Sequence, residues 1–256
     1  MAFMQLDFYS ESLAHNTTVY IILPQGFSDQ DSLENGTYKY KTLYLLHGYM
    51  GNHTDWIRFS AIERYSSENR LAVIMFDANN SYYTNMEYGP NYFDFYTKEL
   101  PTYLESILPL STKRENRFII GLSMGGYGAI KAALTYPNKY QFAASLSGAL
   151  DLDFIVKRPN DERRIKQLTA TFGKSLNISN TENDLFFLAN NIKNTDSLPT
   201  IYINCGTEDF LFDSNKKFVS HLNSLNINSL SEYYPGNHNW EYWDKHIVTA
   251  LNKIFK

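Results

Sequence analysis

The chain has 256 residues, of which 43% are hydrophobic and 20% charged, with a formal net charge of -4. That is enough to bury the core of one large α/β domain, and the weak acidity provides no basic field to attract nucleic acid or an anionic membrane. A single cysteine, Cys205, excludes an intramolecular disulfide and a multi-cysteine zinc site, and fits a reducing compartment.

Residues 1–8 lack a basic segment followed by an apolar one, and no uncharged apolar run approaches about 18 residues. We read a cytoplasmic chain that is neither exported nor membrane-bound. Segments around Leu6 and Val19, the latter in a strand over residues 17–23, can pair as an antiparallel edge. Further strand-like runs at residues 42–46, 71–76, 117–120, 142–146, 200–205 and 231–234 alternate with helical patterns. Several are apolar on both faces, which argues for a mainly parallel sheet covered on both sides. Residues 94–108 carry a helical stripe, but Pro101 lacks the amide donor of an interior helix position, so a kink or a late start is expected.

Residues 151–199 break this rhythm, being rich in Asn, Asp and Lys with helical signals only at 162–168 and 182–190. Functional loops gather at the C-terminal edge of parallel strands, so we read a small cap over that edge, inside a single domain spanning residues 1–256. Beyond it, Phe218, Val219, Leu222 and Leu225 recur at helical spacing, as do His246, Ile247, Ala250, Leu251, Ile254 and Phe255. Both patterns predict helices packed on the sheet. The basic pairs Lys113-Arg114 and Arg163-Arg164 read as solvated faces, and the 20 Tyr and 17 Phe as core and rim packing.

The most informative run is Gly121-Leu122-Ser123-Met124-Gly125, entered from Phe118-Ile119-Ile120 and left through a helical pattern from Tyr127 to Leu134. Strand, sharp turn and helix around Gly-x-Ser-x-Gly make a nucleophile elbow, in which glycines relieve crowding and the serine oxygen is lifted towards substrate. A serine hydroxyl attacks poorly at neutral pH without a base, and the base, normally histidine, needs a buried carboxylate to fix its tautomer. In this fold the chain order is Ser, acid, His. After Ser123 come His221, His238 and His246, and the first and last fall within helical patterns. His238 sits in Tyr234-Pro235-Gly236-Asn237-His238-Asn239-Trp240, a turn between the last strand and the last helix, where the base is needed. For the acid, Cys205-Gly206-Thr207-Glu208-Asp209 leaves the preceding strand and reaches the next loop without a chain crossing. We take Asp209, although spacing separates it only weakly from Glu208 and Asp213.

A tetrahedral intermediate also needs oriented donors, worth on the order of 3 kcal/mol each. The Met124 amide is one. The other belongs after an early strand, where Leu45-Leu46-His47-Gly48-Tyr49-Met50-Gly51 lies; Gly48 allows a tight turn that aims the Tyr49 amide at Ser123. His47 precedes Ser123 and reads as a brace for this loop. Among Trp56, Trp240 and Trp243, Trp240 is the candidate substrate contact, two residues from His238. No His-Glu-x-x-His pattern occurs, and Asp151 with Asp153 reads as a helix cap, so no metal or other cofactor is expected.

With these blocks in hand, the chain resembles the esterase D family of α/β-hydrolases, and within it the bacterial tributyrin esterases. The resemblance runs from the N-terminal strands through Gly121-Leu122-Ser123-Met124-Gly125-Gly126, Cys205-Gly206-Thr207-Glu208-Asp209-Phe210 and Gly236-Asn237-His238-Asn239-Trp240. It implies the α/β-hydrolase fold, with Ser123 as nucleophile, His238 as base, Asp209 as orienter and the Tyr49 and Met124 amides as oxyanion hole. It also implies a serine carboxylesterase that takes short-chain acyl esters through an acyl-enzyme. The family includes S-formylglutathione hydrolases, feruloyl esterases and mycolyltransferases, so thioester hydrolysis and acyl transfer stand as rivals. The loop His47-Gly48-Tyr49-Met50-Gly51 looks like the tributyrin esterase form, which puts the thioesterase second. A catalytically silent binding protein comes last, because it need not keep all three triad members. The expected partner is a small-molecule ester, and a homo-oligomer is left open.

Overall fold

A strand that is apolar at every position needs cover on both faces, because successive side chains alternate. The computed structural model, which describes residues 1–25, 33–34, 37–159 and 161–254, meets this need with one eight-stranded sheet. In chain order its strands are β1 (Ala2–Ser10), β2 (His15–Leu23), β3 (Lys41–Leu46), β4 (Leu71–Phe76), β5 (Arg117–Leu122), β6 (Phe142–Leu146), β7 (Thr200–Gly206) and β8 (Ser229–Tyr234). They lie in the order β1-β2-β4-β3-β5-β6-β7-β8. β1 pairs antiparallel with β2 and β2 antiparallel with β4, while the other pairings are parallel. A hairpin of Leu33–Glu34 with Thr37–Tyr38 stands apart. This is the α/β-hydrolase fold.

The two faces divide the core. In β4, Ala72, Ile74 and Phe76 join one buried cluster, and Leu71, Val73 and Met75 join the other. The predicted strands match the observed ones to within two residues at each end, and the antiparallel edge is β1 with β2.

The stripe with Pro101 behaves differently from either expectation. The chain is helical from Tyr92, passes through a π-helical turn over Phe95–Glu99, and continues as the α-helix Leu100–Ile107. The Leu100 amide bonds the Phe95 carbonyl, five residues back, so the register widens just before the proline. Pro101 has no amide for the Thr97 carbonyl, which accepts instead from Lys139 Nζ at 2.7 Å. A side chain from elsewhere thus replaces the missing bond.

Between β6 and β7, residues 151–199 carry the helices Leu152–Val156, Glu162–Phe172 and Leu185–Asn190. Each is N-capped by an aspartate, namely Asp151, Asp161 and Asp184, whose side chains accept from the amides of Phe154, Arg164 and Phe186. This segment docks on the helix Met124–Thr135, which is buried along most of its length. The Tyr127 hydroxyl donates to the Asn183 carbonyl at 2.8 Å, and Lys131 Nζ to Asn183 Oδ1 at 2.6 Å. Burial pulls the Lys131 ammonium down to about 7. Arg114, expected on a solvated face, instead reaches the Ser197 and Leu198 carbonyls at 3.2 and 3.1 Å and helps hold the segment's return into β7. The last helix is Trp240–Ile254; Phe255, assigned to it from the sequence, lies outside the described residues.

Candidate active site

β5 ends at Leu122 and the next helix begins at Met124, so Ser123 makes the turn alone. Its φ of 51° and ψ of -116° are a conformation that a residue with a side chain rarely adopts. Hydrogen bonds on both sides hold it there. The Ser123 amide donates to the Leu146 carbonyl at 2.9 Å, and its carbonyl accepts from the Ala149 amide at 3.0 Å. The flanking glycines provide clearance: a Cβ on Gly121 would lie 2.2 Å from the Gly125 carbonyl, and one on Gly125 would lie 2.6 Å from the Leu46 and His47 oxygens.

The structure brings the three residues of the expected relay into one line. Ser123 Oγ lies 3.0 Å from His238 Nε2, and His238 Nδ1 lies 2.8 Å from Asp209 Oδ2. A carboxylate at Nδ1 keeps the proton on that nitrogen and leaves Nε2 to accept from the serine hydroxyl. The Asp209 side chain is 0% exposed and that of His238 19%, so the acid is dry while the base meets the cavity. Phe210 and Trp243 flank the imidazole at centroid distances of 4.7 and 4.8 Å.

The three neighbouring acids have separate positions. Asp209 turns to His238, and its Oδ1 accepts the Leu211 amide at 2.8 Å. Glu208 accepts from the Gly236 amide and from the Thr207 hydroxyl, and so ties the loop bearing His238 to the end of β7. Asp213 is exposed in the first turn of the helix Phe212–Ser224. The Glu208 tie was invisible in the sequence, because it depends on how close two loops come.

The other histidines lie elsewhere. His221 Nε2 faces the Phe186 carbonyl at 3.3 Å. His246 is buried between the rings of Tyr234 and Tyr242, neither ring nitrogen has a hydrogen-bond partner among the described residues, and burial pulls it down to about 4. His47 accepts the Ala78 amide on Nε2 at 3.0 Å and therefore donates from Nδ1 to the Gly48 carbonyl at 2.7 Å, bracing its loop. Gly48 sits against Ser123: a Cβ there would be 2.6 Å from Leu122 Cδ1 and 3.6 Å from Ser123 Cβ. Among the described residues, neither the Tyr49 nor the Met124 amide donates to a protein acceptor. Met124 opens its helix, so its amide has no intrahelical acceptor, and the positive end of the helix dipole adds to it.

Ser123 and His238 open on a cavity of about 780 Å³, with Trp240 and Trp243 on one wall and Phe154 and Ile155 from the 151–199 segment on another. Trp56 takes no part in lining it; the ring is buried and its Nε1 donates to the Leu46 carbonyl at 3.0 Å. Arg163 and Arg164, expected on a solvated face, both line this cavity. Among the described residues no three His, Cys, Asp or Glu side chains converge as they would around a metal ion, and no helix is long and apolar enough to cross a membrane.

Comparison with known proteins gives a consistent result. A family model described as Esterase matches residues 10–254. The chain is 35% identical to an acetyl esterase of Caldicellulosiruptor saccharolyticus, with 100% of this chain and 99% of the other covered. Two solved structures from Staphylococcus aureus superpose along its whole length. One is the fluorophosphonate-binding serine hydrolase FphF, at 35% identity and a TM-score of 0.90, covering 100% of this chain and 98% of that one. The other is the S-formylglutathione hydrolase FrmB, at 33% identity and a TM-score of 0.85, covering 100% and 99%.

Proposed function

We propose that this chain, which belongs to the esterase family and is a serine hydrolase acting on carboxylic esters, is specifically a short-chain acyl esterase of the tributyrin or acetyl-ester type. The observation that carries the reading is the line from Ser123 through His238 to the dry carboxylate of Asp209, opening on a cavity with amides free on the nucleophile's side.

On this reading Ser123 Oγ attacks the ester carbonyl carbon while its proton passes to His238 Nε2. The oxyanion that forms takes the Tyr49 and Met124 amides, whose orientation is fixed before the reaction starts. As the C–O bond breaks, His238 returns the proton to the departing alcohol, and the acyl group stays on Ser123. Water then attacks the acyl carbon, again giving its proton to His238, and the acid leaves as Ser123 regains its own. Asp209 stays ionised and stabilises the imidazolium formed in each half. The chain works as one domain, with residues 151–199 as a cap over the site, and Trp240 contacts the substrate.

The similarity to FrmB favours a second reading, hydrolysis of S-formylglutathione. Hydrolysis of 4-nitrophenyl acetate, butyrate and octanoate beside S-formylglutathione, with Ser123→Ala as the blank, separates the two. Ester turnover above thioester turnover, with a maximum at or below butyrate, supports the short-chain esterase. Dominant thioester turnover replaces it, and a maximum at octanoate rejects the short-chain preference.

A further inference from the structure

We infer that Arg164 is a receptor for a carboxylate or similar oxyanion on the substrate, so that the site favours esters carrying negative charge away from the scissile carbonyl. The inference rests on the esterase reading above and deepens it.

Arg164 lies in the first turn of the cap helix Glu162–Phe172 and lines the cavity. Its guanidinium carbon stands 3.8 Å from the centre of the Tyr49 ring and 5.4 Å from that of Tyr82, and Nη2 bonds the Tyr82 hydroxyl. Tyr49 is held in turn, its phenol donating to Gln167 Oε1. Two aromatic rings and one hydrogen bond therefore fix the guanidinium in orientation, as cation–π stacking on tyrosine does.

Among the described residues the Arg164 guanidinium has no carboxylate paired with it. Nη1 of Arg164 is buried and, among the described residues, has no hydrogen-bond partner. Among the described residues no carboxylate lies within 4.0 Å of the side-chain nitrogens of Arg158, Arg163 or Arg164, and all three line the cavity. The acids that share the cavity wall are Asp55 and Asp161. Asp161 is engaged at the helix N-terminus, where it accepts the Arg164 amide at 2.7 Å. Three cationic groups thus stand against two anionic ones. A buried guanidinium nitrogen left without an acceptor is costly, and its planar fork matches a carboxylate. Of the three arginines, Arg158 and Arg163 are exposed and only Arg164 is partly buried, where solvent screens an ion pair least.

The test compares two matched pairs of esters: 4-nitrophenyl hydrogen glutarate with 4-nitrophenyl valerate, and 3-acetoxybenzoate with 3-acetoxybenzamide. The first pair places the charge on the acyl side and the second on the alcohol side. For at least one pair the wild-type ratio of kcat/KM, anionic over neutral, is expected to be roughly ten or more. Arg164→Gln should bring it to about one, and Arg164→Lys should keep part of it. Because each ratio is internal, a general loss from disturbing Tyr49 cancels. Wild-type ratios near or below one in both pairs, or a preference that survives in Arg164→Gln, overturn the inference. Failure of the esterase reading shows separately, as absence of Ser123-dependent turnover of the neutral esters. In that case calorimetry of monomethyl glutarate on Ser123→Ala, with and without Arg164→Gln, still decides: weaker binding in the double variant supports the receptor role, and equal binding rejects it.

Discussion

The Tyr49 phenol donates to Oε1 of Gln167, so the residue whose amide we propose as an oxyanion donor is tied by its own side chain to the helix Glu162–Phe172. A donor that must meet a developing charge loses effect with small displacement, because catalysis depends on placement. Gln167→Ala should therefore lower kcat for 4-nitrophenyl acetate by about tenfold with a smaller change in KM, while the melting temperature stays close to wild type. A change confined to KM would mean that the tie serves binding alone.

Ser123→Ala should remove at least about four orders of magnitude in kcat/KM and leave the fold intact, because among the described residues the hydroxyl bonds only to His238. Asp209→Asn should cost on the order of 10⁴ in kcat, since an amide at Nδ1 no longer fixes the tautomer that leaves Nε2 as acceptor. Labelling by a fluorophosphonate probe reads both changes: strong in the wild type, absent in Ser123→Ala, and slow in Asp209→Asn.

Gly125→Ala meets backbone on two sides, the carbonyl oxygens of Leu46 and His47, each 2.6 Å from the new carbon. Neither can rotate away as a side chain would. We expect a loss of about 1–3 kcal/mol or more in stability, measured by urea unfolding, together with loss of activity as β3 is pushed from the turn. An unchanged midpoint with full activity would show that the sheet yields more easily than its packing implies.

His246 couples stability to pH. Burial lowers it to about 4 in the folded chain, against about 6.5 when unfolded. Between these values the unfolded chain binds the proton and the folded chain does not, so this contribution is fully present above about pH 6.5 and is lost as pH falls towards about 4. His246→Phe keeps an aromatic ring between Tyr234 and Tyr242 and removes the titration. The difference in unfolding free energy between pH 7.5 and pH 5 should shrink in the variant, and an equal difference would place the acid sensitivity elsewhere.

Much of the fold was legible because its signals are local. Two-sided apolar strands such as Leu71–Phe76 can sit only inside a covered sheet, and the turn at Ser123 is marked by the glycines on either side. The site was less legible wherever it depends on loops that meet. Spacing cannot separate Glu208 from Asp209, since they are adjacent, two and three residues past the end of β7; the approach of Gly236 to Gly206 sends the first to an amide and the second to the imidazole. The pair Arg163-Arg164 reads as a surface charge because a sequence shows neither the Tyr49 ring beneath the second arginine nor the cavity beside both. The π-helical turn before Pro101 escaped for the same reason, as its stabilising partner, Lys139, arrives from a distant loop.

The segment between β6 and β7 leaves the sheet after β6 and returns to it at β7, whereas the turn from Gly121 to Gly125 is packed against backbone at the ends of β3 and β6. The two regions therefore face opposite constraints under mutation. At the turn a carbon added to Gly121 or Gly125 collides with backbone, so geometry alone holds those two positions to glycine. In the segment, a side chain such as Phe154 lines the cavity without bonding to Ser123, His238 or Asp209, so it can be exchanged while that line keeps its dimensions. Substrate choice can thus drift with the residues of the segment that line the cavity while the turn stays fixed.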